Sequence, residues 1–115
     1  MIKRNTKYPV EQKENMRGGE GVITIEHLLS QDEMYSKGRL FAKIIVEPGD
    51  SIGFHVHENE MEAFYIVSGE AEMSDNGEAV NLSIGDTILT KAGEGHSVKS
   101  VGETSLEMIA LILFE

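Results

Sequence analysis

The chain has 115 residues, enough for one buried core and too few for two, so a single domain is expected. Twenty acidic against ten basic residues, a formal charge of −10 and the lack of any basic run argue against a nucleic-acid partner. No stretch approaches the roughly 20 apolar residues of a membrane span, the start MIKRNTKYPVEQKEN lacks the apolar core of an export signal, and there is no cysteine for disulfides or thiolate ligands. A cytoplasmic protein with no membrane partner is expected, and any metal has to be held by nitrogen and oxygen.

In chain order, the first seventeen residues are polar with no sustained period, and RGGEG then breaks the chain, so residues 1–21 are expected to form an extended arm and residues 22–115 the folded domain. VITIEHLL reads as the first strand of that domain. Ser30 to Glu33 has the spacing of a capping box, and Gly38 follows, which predicts one short helical turn. From Arg39 onward, strand-like runs alternate with turn residues: RLFAKIIV before Pro48-Gly49-Asp50, IGFHVH before an acidic stretch, EAFYIV before Ser68-Gly69. EAEMS then turns at Asn76-Gly77, a strong two-residue hairpin signal. EAVNLSI, TILTKA, HSVKSV and finally SLEMIALILF complete the series. Many short strands parted by glycine turns predict an all-β sandwich or barrel.

The last run is apolar on both faces, with Leu106, Met108, Ala110, Ile112 and Phe114 on one and Ile109, Leu111 and Leu113 on the other. Both sides are therefore expected to be covered. The core supplies one cover; the arm or a second subunit supplies the other, and a homodimer is the commonest arrangement.

Three of the four histidines carry the functional signal. Side chains alternate along a strand, so His55 and His57 point the same way about 7 Å apart, and two imidazoles can converge on one ion. By the same alternation Ser51 and Gly53 share their face, and Gly53 leaves space beside the rings. Glu62 heads a row that continues through Phe64 and Ile66, and His96 opens a later strand directly after the turn AGEG. Glu58 and Glu60 read as a solvated turn. His27, isolated in TIEHLLS, reads as structural or exposed. Arg39 and Lys43 share one face of their strand, and parity alone leaves open whether that face lines the interior.

These residues resemble the two motifs of the cupin superfamily, in the small single-domain form. Gly49, His55, His57, Glu62 and Gly69 fall in register with the first motif, and Gly85, Gly93 and His96 with the second, so the match spans Gly49 to Ser100. The resemblance implies a double-stranded β-helix, a jelly-roll barrel, with His55, His57, Glu62 and His96 as ligands of one divalent metal, and pairing through outer sheets and terminal strands. Two positions depart from the pattern: Lys91 stands for the usual proline of the second motif, and Ser100 for its asparagine. Proteins of this appearance are also compared with oxalate decarboxylases, which carry an arginine three residues before the first histidine; that position here is Ile52, which speaks against oxalate decarboxylation.

Three neutral imidazoles and one carboxylate around a divalent ion give a net charge of about +1 and leave positions open in an octahedral shell. Mn²⁺ or Fe²⁺ suits the donor set, and Zn²⁺, Ni²⁺ or Co²⁺ would also bind. The expected function is a metal-dependent oxygenase, decarboxylase or isomerase acting on a small oxygen-rich anion, such as a carboxylate. The alternative is a metal and small-ligand binding module without catalysis. Phe64, Ser100 and Lys91 are the candidate pocket residues, and Glu94, on the turn before His96, is the candidate for an acid–base or rim role.

Overall fold

The computed structural model describes all of residues 1–115 and contains ten strands. They are β1 (Val10–Glu14), β2 (Val22–Leu29), β3 (Gly38–Val46), β4 (Ser51–Val56), β5 (Glu60–Ser68), β6 (Ala71–Asp75), β7 (Glu78–Leu82), β8 (Thr87–Thr90), β9 (Gly95–Ser100) and β10 (Leu106–Phe114). A six-stranded sheet in the order β1-β2-β3-β10-β5-β8 faces a four-stranded sheet in the order β4-β9-β6-β7, and every neighbouring pair is antiparallel. The all-β jelly-roll architecture is the one expected from the glycine-punctuated runs. Asn76 and Gly77 both adopt positive φ, 50° and 95°, and close the β6–β7 hairpin as their sequence predicts.

Alternation selects the core. Along β3 and β10 the even-numbered residues Ala42, Ile44, Val46, Leu106, Met108 and Ala110 are buried, and Ile66 and Phe64 of β5 continue their rows. Ile52, Val98 and Met73 meet them from the second sheet. Each of the larger side chains contributes roughly 1.5–3 kcal/mol on burial. Ser100 also faces this interior; it is fully buried, and its hydroxyl has no hydrogen-bond partner.

Two irregularities in pairing decide where side chains point. Between Ile52 and His55, β4 carries one more residue than β9 opposite it, so Ile52, His55 and His57 all face inward and the strict alternation that would put Ser51 on their side is broken. Gly53 gives room to the N-terminal segment instead of to the imidazoles, because an ideal Cβ there would lie 2.1 Å from the Arg17 carbonyl oxygen. A second bulge in β3, opposite Ile112 and Leu113, frees Arg39 from the β3–β10 ladder.

The arm is more ordered than an extended tail. Its strand β1 is exposed at every residue and attaches to β2 through the backbone ladder from Val10↔Glu26 to Glu14↔Val22. A tight 3-10 turn, Met16–Gly18, then crosses β4, with Asn15 and Arg17 in the left-handed region at φ 49° and 56°. For arginine that conformation costs about 1–2 kcal/mol. Backbone and side-chain bonds between Ser51 and Glu20 tie down the far end of the strap.

The turn expected at Ser30–Glu33 forms as a single closed turn, with Met34 N–H donating to the Ser30 carbonyl oxygen (3.2 Å), and does not extend into a helix. The capping box itself is made, with Ser30 N–H donating to Glu33 Oε1 (2.8 Å) and Glu33 N–H to Ser30 Oγ (3.2 Å). Tyr35 and Ser36 then take φ 54° and 56° and end the turn before a helix can propagate.

Candidate metal centre

Three strands bring the four candidate ligands together. The β4 bulge aims His55 and His57 inward, Glu62 stands on the interior row of β5 between Ile112 and Thr90, and His96 lies across from His55 on β9. His57, Glu62 and His96 are buried and His55 is partly open. One donor atom from each of the four lies within 4.8 Å of all the others. The His96 Nε2 is 3.1 Å from the Nε2 of both His55 and His57, and Glu62 Oε1 is 2.9 Å from His57 Nε2 and 3.1 Å from His96 Nε2.

The outer nitrogens explain the convergence. His55 Nδ1 is 2.8 Å from the Gly53 carbonyl oxygen, and His57 Nδ1 is 2.7 Å from Glu60 Oε2. Both oxygens only accept at neutral pH, so we assign the proton to Nδ1 in each ring and the lone pair to Nε2. His96 Nδ1 meets the buried Thr90 hydroxyl at 2.9 Å, and Phe64 stacks on the His96 ring at 5.2 Å and 17°. Metal-bound histidines carry this kind of support behind the ring. Three lone pairs and a carboxylate oxygen at this spacing repel one another unless a cation lies between them. Edges of about 3 Å match an octahedral ion bonded at about 2.1–2.2 Å, so the residues present fit one divalent metal.

Electrostatics around the cluster follow from the same contacts. Burial lowers the pKa of His55, and the neighbouring histidines and Arg17 add to that direction against the bond to Gly53. The bond to Glu62 raises that of His57, supported by Glu60 and opposed by burial. Burial pushes the Glu62 carboxyl up, and its bonds to His57 and His96 outweigh this and hold it below the ordinary value. Glu60 falls to about 2, first through Arg39 and then through His57.

A cavity of about 590 Å³ opens on this cluster, with Ile52, His55, His57, Glu62 and Phe64 at its base and the strap at its mouth. Ile52, the position at which the oxalate decarboxylase pattern has arginine, lines it without charge. Of the candidate pocket residues, Phe64 is in this lining; Ser100 and Lys91 are not. Ser100 is enclosed in the interior beside Ala71. Lys91 is exposed on the turn before β9, and its backbone N–H donates to Glu94 Oε1 (2.9 Å). The Glu94 side chain therefore closes its own turn, while its carbonyl oxygen receives the His57 N–H, and neither group lines the cavity.

Four contributors escaped the sequence reading. Glu60 is no solvated turn residue: its side chain is 12 % exposed, bonded to His57 and gripped at two points by Arg39, Nε to Oε1 at 2.9 Å and Nη2 to Oε2 at 2.7 Å. Arg39 reaches it because of the β3 bulge, which no alternation count reveals. Interior rows could have flagged Thr90, which pairs with Glu62. His27 lines the cavity wall, with its Nε2 2.7 Å from Glu11 Oε1.

Comparisons with known proteins agree with this geometry. The cupin domain family model matches residues 42–112. An oxalate-binding protein from Thermotoga maritima is 43% identical over 113 residues, covering 98% of this chain and 93% of that one. The crystal structure of a predicted oxalate decarboxylase from Thermotoga maritima superposes with a TM-score of 0.96 at 43% identity over 100% of both chains. A cupin domain from Schizosaccharomyces pombe shares the fold alone, with a TM-score of 0.74 at 12% identity over 81% of this chain and 61% of that one.

Proposed function

The chain belongs to the cupin family, and from that premise we propose that it holds one divalent metal ion through His55, His57, Glu62 and His96 and binds a small carboxylate there. The observation that carries this reading is the meeting of three Nε2 atoms and one carboxylate oxygen at about 3 Å, each imidazole backed at Nδ1, on the floor of an open cavity. Mn²⁺ or Fe²⁺ suits the mixed nitrogen and oxygen donors. A bound ion of this kind would supply Lewis acidity toward a carboxylate oxygen, and redox chemistry if it is iron.

The chain's own residues have defined tasks. Glu60 and Thr90 hold His57 and His96 with Nε2 aimed at the site, and Phe64 keeps the His96 ring from turning. Arg39 keeps Glu60 ionised, so that Glu60 accepts from His57 and does not compete for its other nitrogen. Ile52 and Phe64 exclude water from the base of the cavity. The name of the Thermotoga maritima relative, an oxalate-binding protein, supports a short carboxylate as the ligand.

Turnover of that ligand, as an oxygenase, decarboxylase or isomerase, is the second reading. The His27–Glu11 pair favours it, since an imidazole in the cavity wall bonded to a carboxylate can take up and return a proton. The uncharged Ile52 weighs against oxalate decarboxylation in particular. A homodimer formed through the outer face of the six-stranded sheet belongs to the same proposal, because Tyr65, Val67 and Leu89 are exposed there.

Elemental analysis of protein purified without an affinity tag tests the ligand set. His57→Ala and Glu62→Gln should lose most of the bound metal, while Glu58→Gln, at an exposed residue of the turn, keeps it; equal metal in all three would contradict the assignment. The same samples, assayed for loss of added carboxylate, separate binding from turnover.

A further inference from the structure

The mouth of the cavity holds three cationic side chains, Lys13, Arg17 and Arg39. Arg39 is committed to Glu60 through two hydrogen bonds. Arg17 has no ion pair with any carboxylate of the chain. It stands on the strap that crosses β4, in a left-handed conformation that arginine rarely adopts, at φ 56° and ψ 27°. Its carbonyl oxygen presses on the Gly53 backbone, next to the bulge that aims His55, and it shares the cavity lining with His55. Backbone strain is retained where the surroundings over-determine it, most often at ligand sites. Here the fixed backbone brings an exposed guanidinium, a planar, two-pronged donor with no ion pair to the protein, into the lining of the cavity that holds the candidate metal cluster.

We propose that Arg17 is the residue that selects dicarboxylates: one carboxylate of the ligand lies at the metal and the other is held by the Arg17 guanidinium. This rests on the carboxylate-binding reading given above and deepens it. A guanidinium pairs with a carboxylate through two parallel hydrogen bonds, which adds geometric selection to charge. The sequence supplies no cation at position 52 on the cavity floor, and the strap supplies one at the mouth. Lys13 lies close by on β1 as a point charge, exposed like Arg17, and the same lining carries two β1 carboxylates, Glu14 and the His27-paired Glu11.

Arg17→Gly separates the binding role from a structural one. Glycine takes positive φ without strain, so this variant should fold at least as well as the natural chain, with an equal or higher melting temperature and the same metal content. Calorimetric titration of Mn²⁺-loaded protein with oxalate and malonate should show at least a tenfold loss of affinity relative to the natural chain, while acetate changes by less than twofold. Arg17→Lys should recover only part of the loss, and Lys13→Ala should lose much less than Arg17→Gly. Unchanged oxalate and malonate affinity in Arg17→Gly would overturn the Arg17 assignment and leave the metal–carboxylate reading standing. An equal loss in Lys13→Ala would assign the effect to the general field of the mouth and also overturn it. If the metal-loaded natural chain binds none of the three acids, the carboxylate reading fails, and this proposal with it.

Discussion

Each histidine of the cluster takes its direction from an atom behind it, and the three atoms differ in kind: a backbone carbonyl for His55, a carboxylate for His57 and a hydroxyl for His96. Thr90 is fully buried, so its bond to His96 is shielded from water and tests the scheme well. Thr90→Val keeps the shape and removes the acceptor. It should lower metal affinity about 10- to 100-fold, as loss of support behind a ligand does elsewhere, in competition with a metal-sensitive dye; unchanged affinity would show that packing against Phe64 alone orients the ring. The four residues of the cluster were legible in the sequence because His55 and His57 alternate on one strand and the resemblance to the two cupin motifs joins Glu62 and His96 to them. Glu60, Thr90 and Arg17 were not, because their roles depend on contacts that cross from strand to strand or from the strap to the barrel.

At the scale of elements, the bulges determine more of the site than the regular strands do. Nine strands of the domain stood out as apolar runs between glycine-rich turns, and β2 coincides with VITIEHLL. The strand β1 gave no such signal, since every one of its residues is exposed and its attachment is a matter of backbone pairing alone. Nor could alternation predict the extra residue in β4, which turns Ile52 inward and sets Gly53 under the strap. That contact is tight enough to test. In Gly53→Ala the new methyl group would meet the Arg17 carbonyl oxygen, and the strap has to move; we expect a loss of about 1–3 kcal/mol, the usual cost of overpacking, in denaturant unfolding. A variant as stable as the natural chain would mean that the strap yields freely.

For the whole molecule, the inner face of the six-stranded sheet is core and its outer face carries an apolar row beside the Lys43–Glu107 ion pair. The outer face sets Phe41, Leu111, Ala63 and Leu89 in one row, and in the next Ile109 between Tyr65 and Lys43, whose charge is paired with Glu107. An apolar row of this kind is what a second copy would cover. Sedimentation at micromolar concentration should report twice the chain mass of 12.7 kDa; a clean monomer would contradict that reading. Metal should stabilise the fold as any ligand of the native state does, and removing it should lower the melting temperature. The central claim joins the two halves of the site: the four-residue cluster holds a metal, and the metal holds the carboxylate. The most direct test is calorimetric titration of oxalate into Mn²⁺-loaded protein and into the same protein after chelation. Our account predicts one oxalate per chain in the first case and none in the second. Equal binding with and without metal would contradict it.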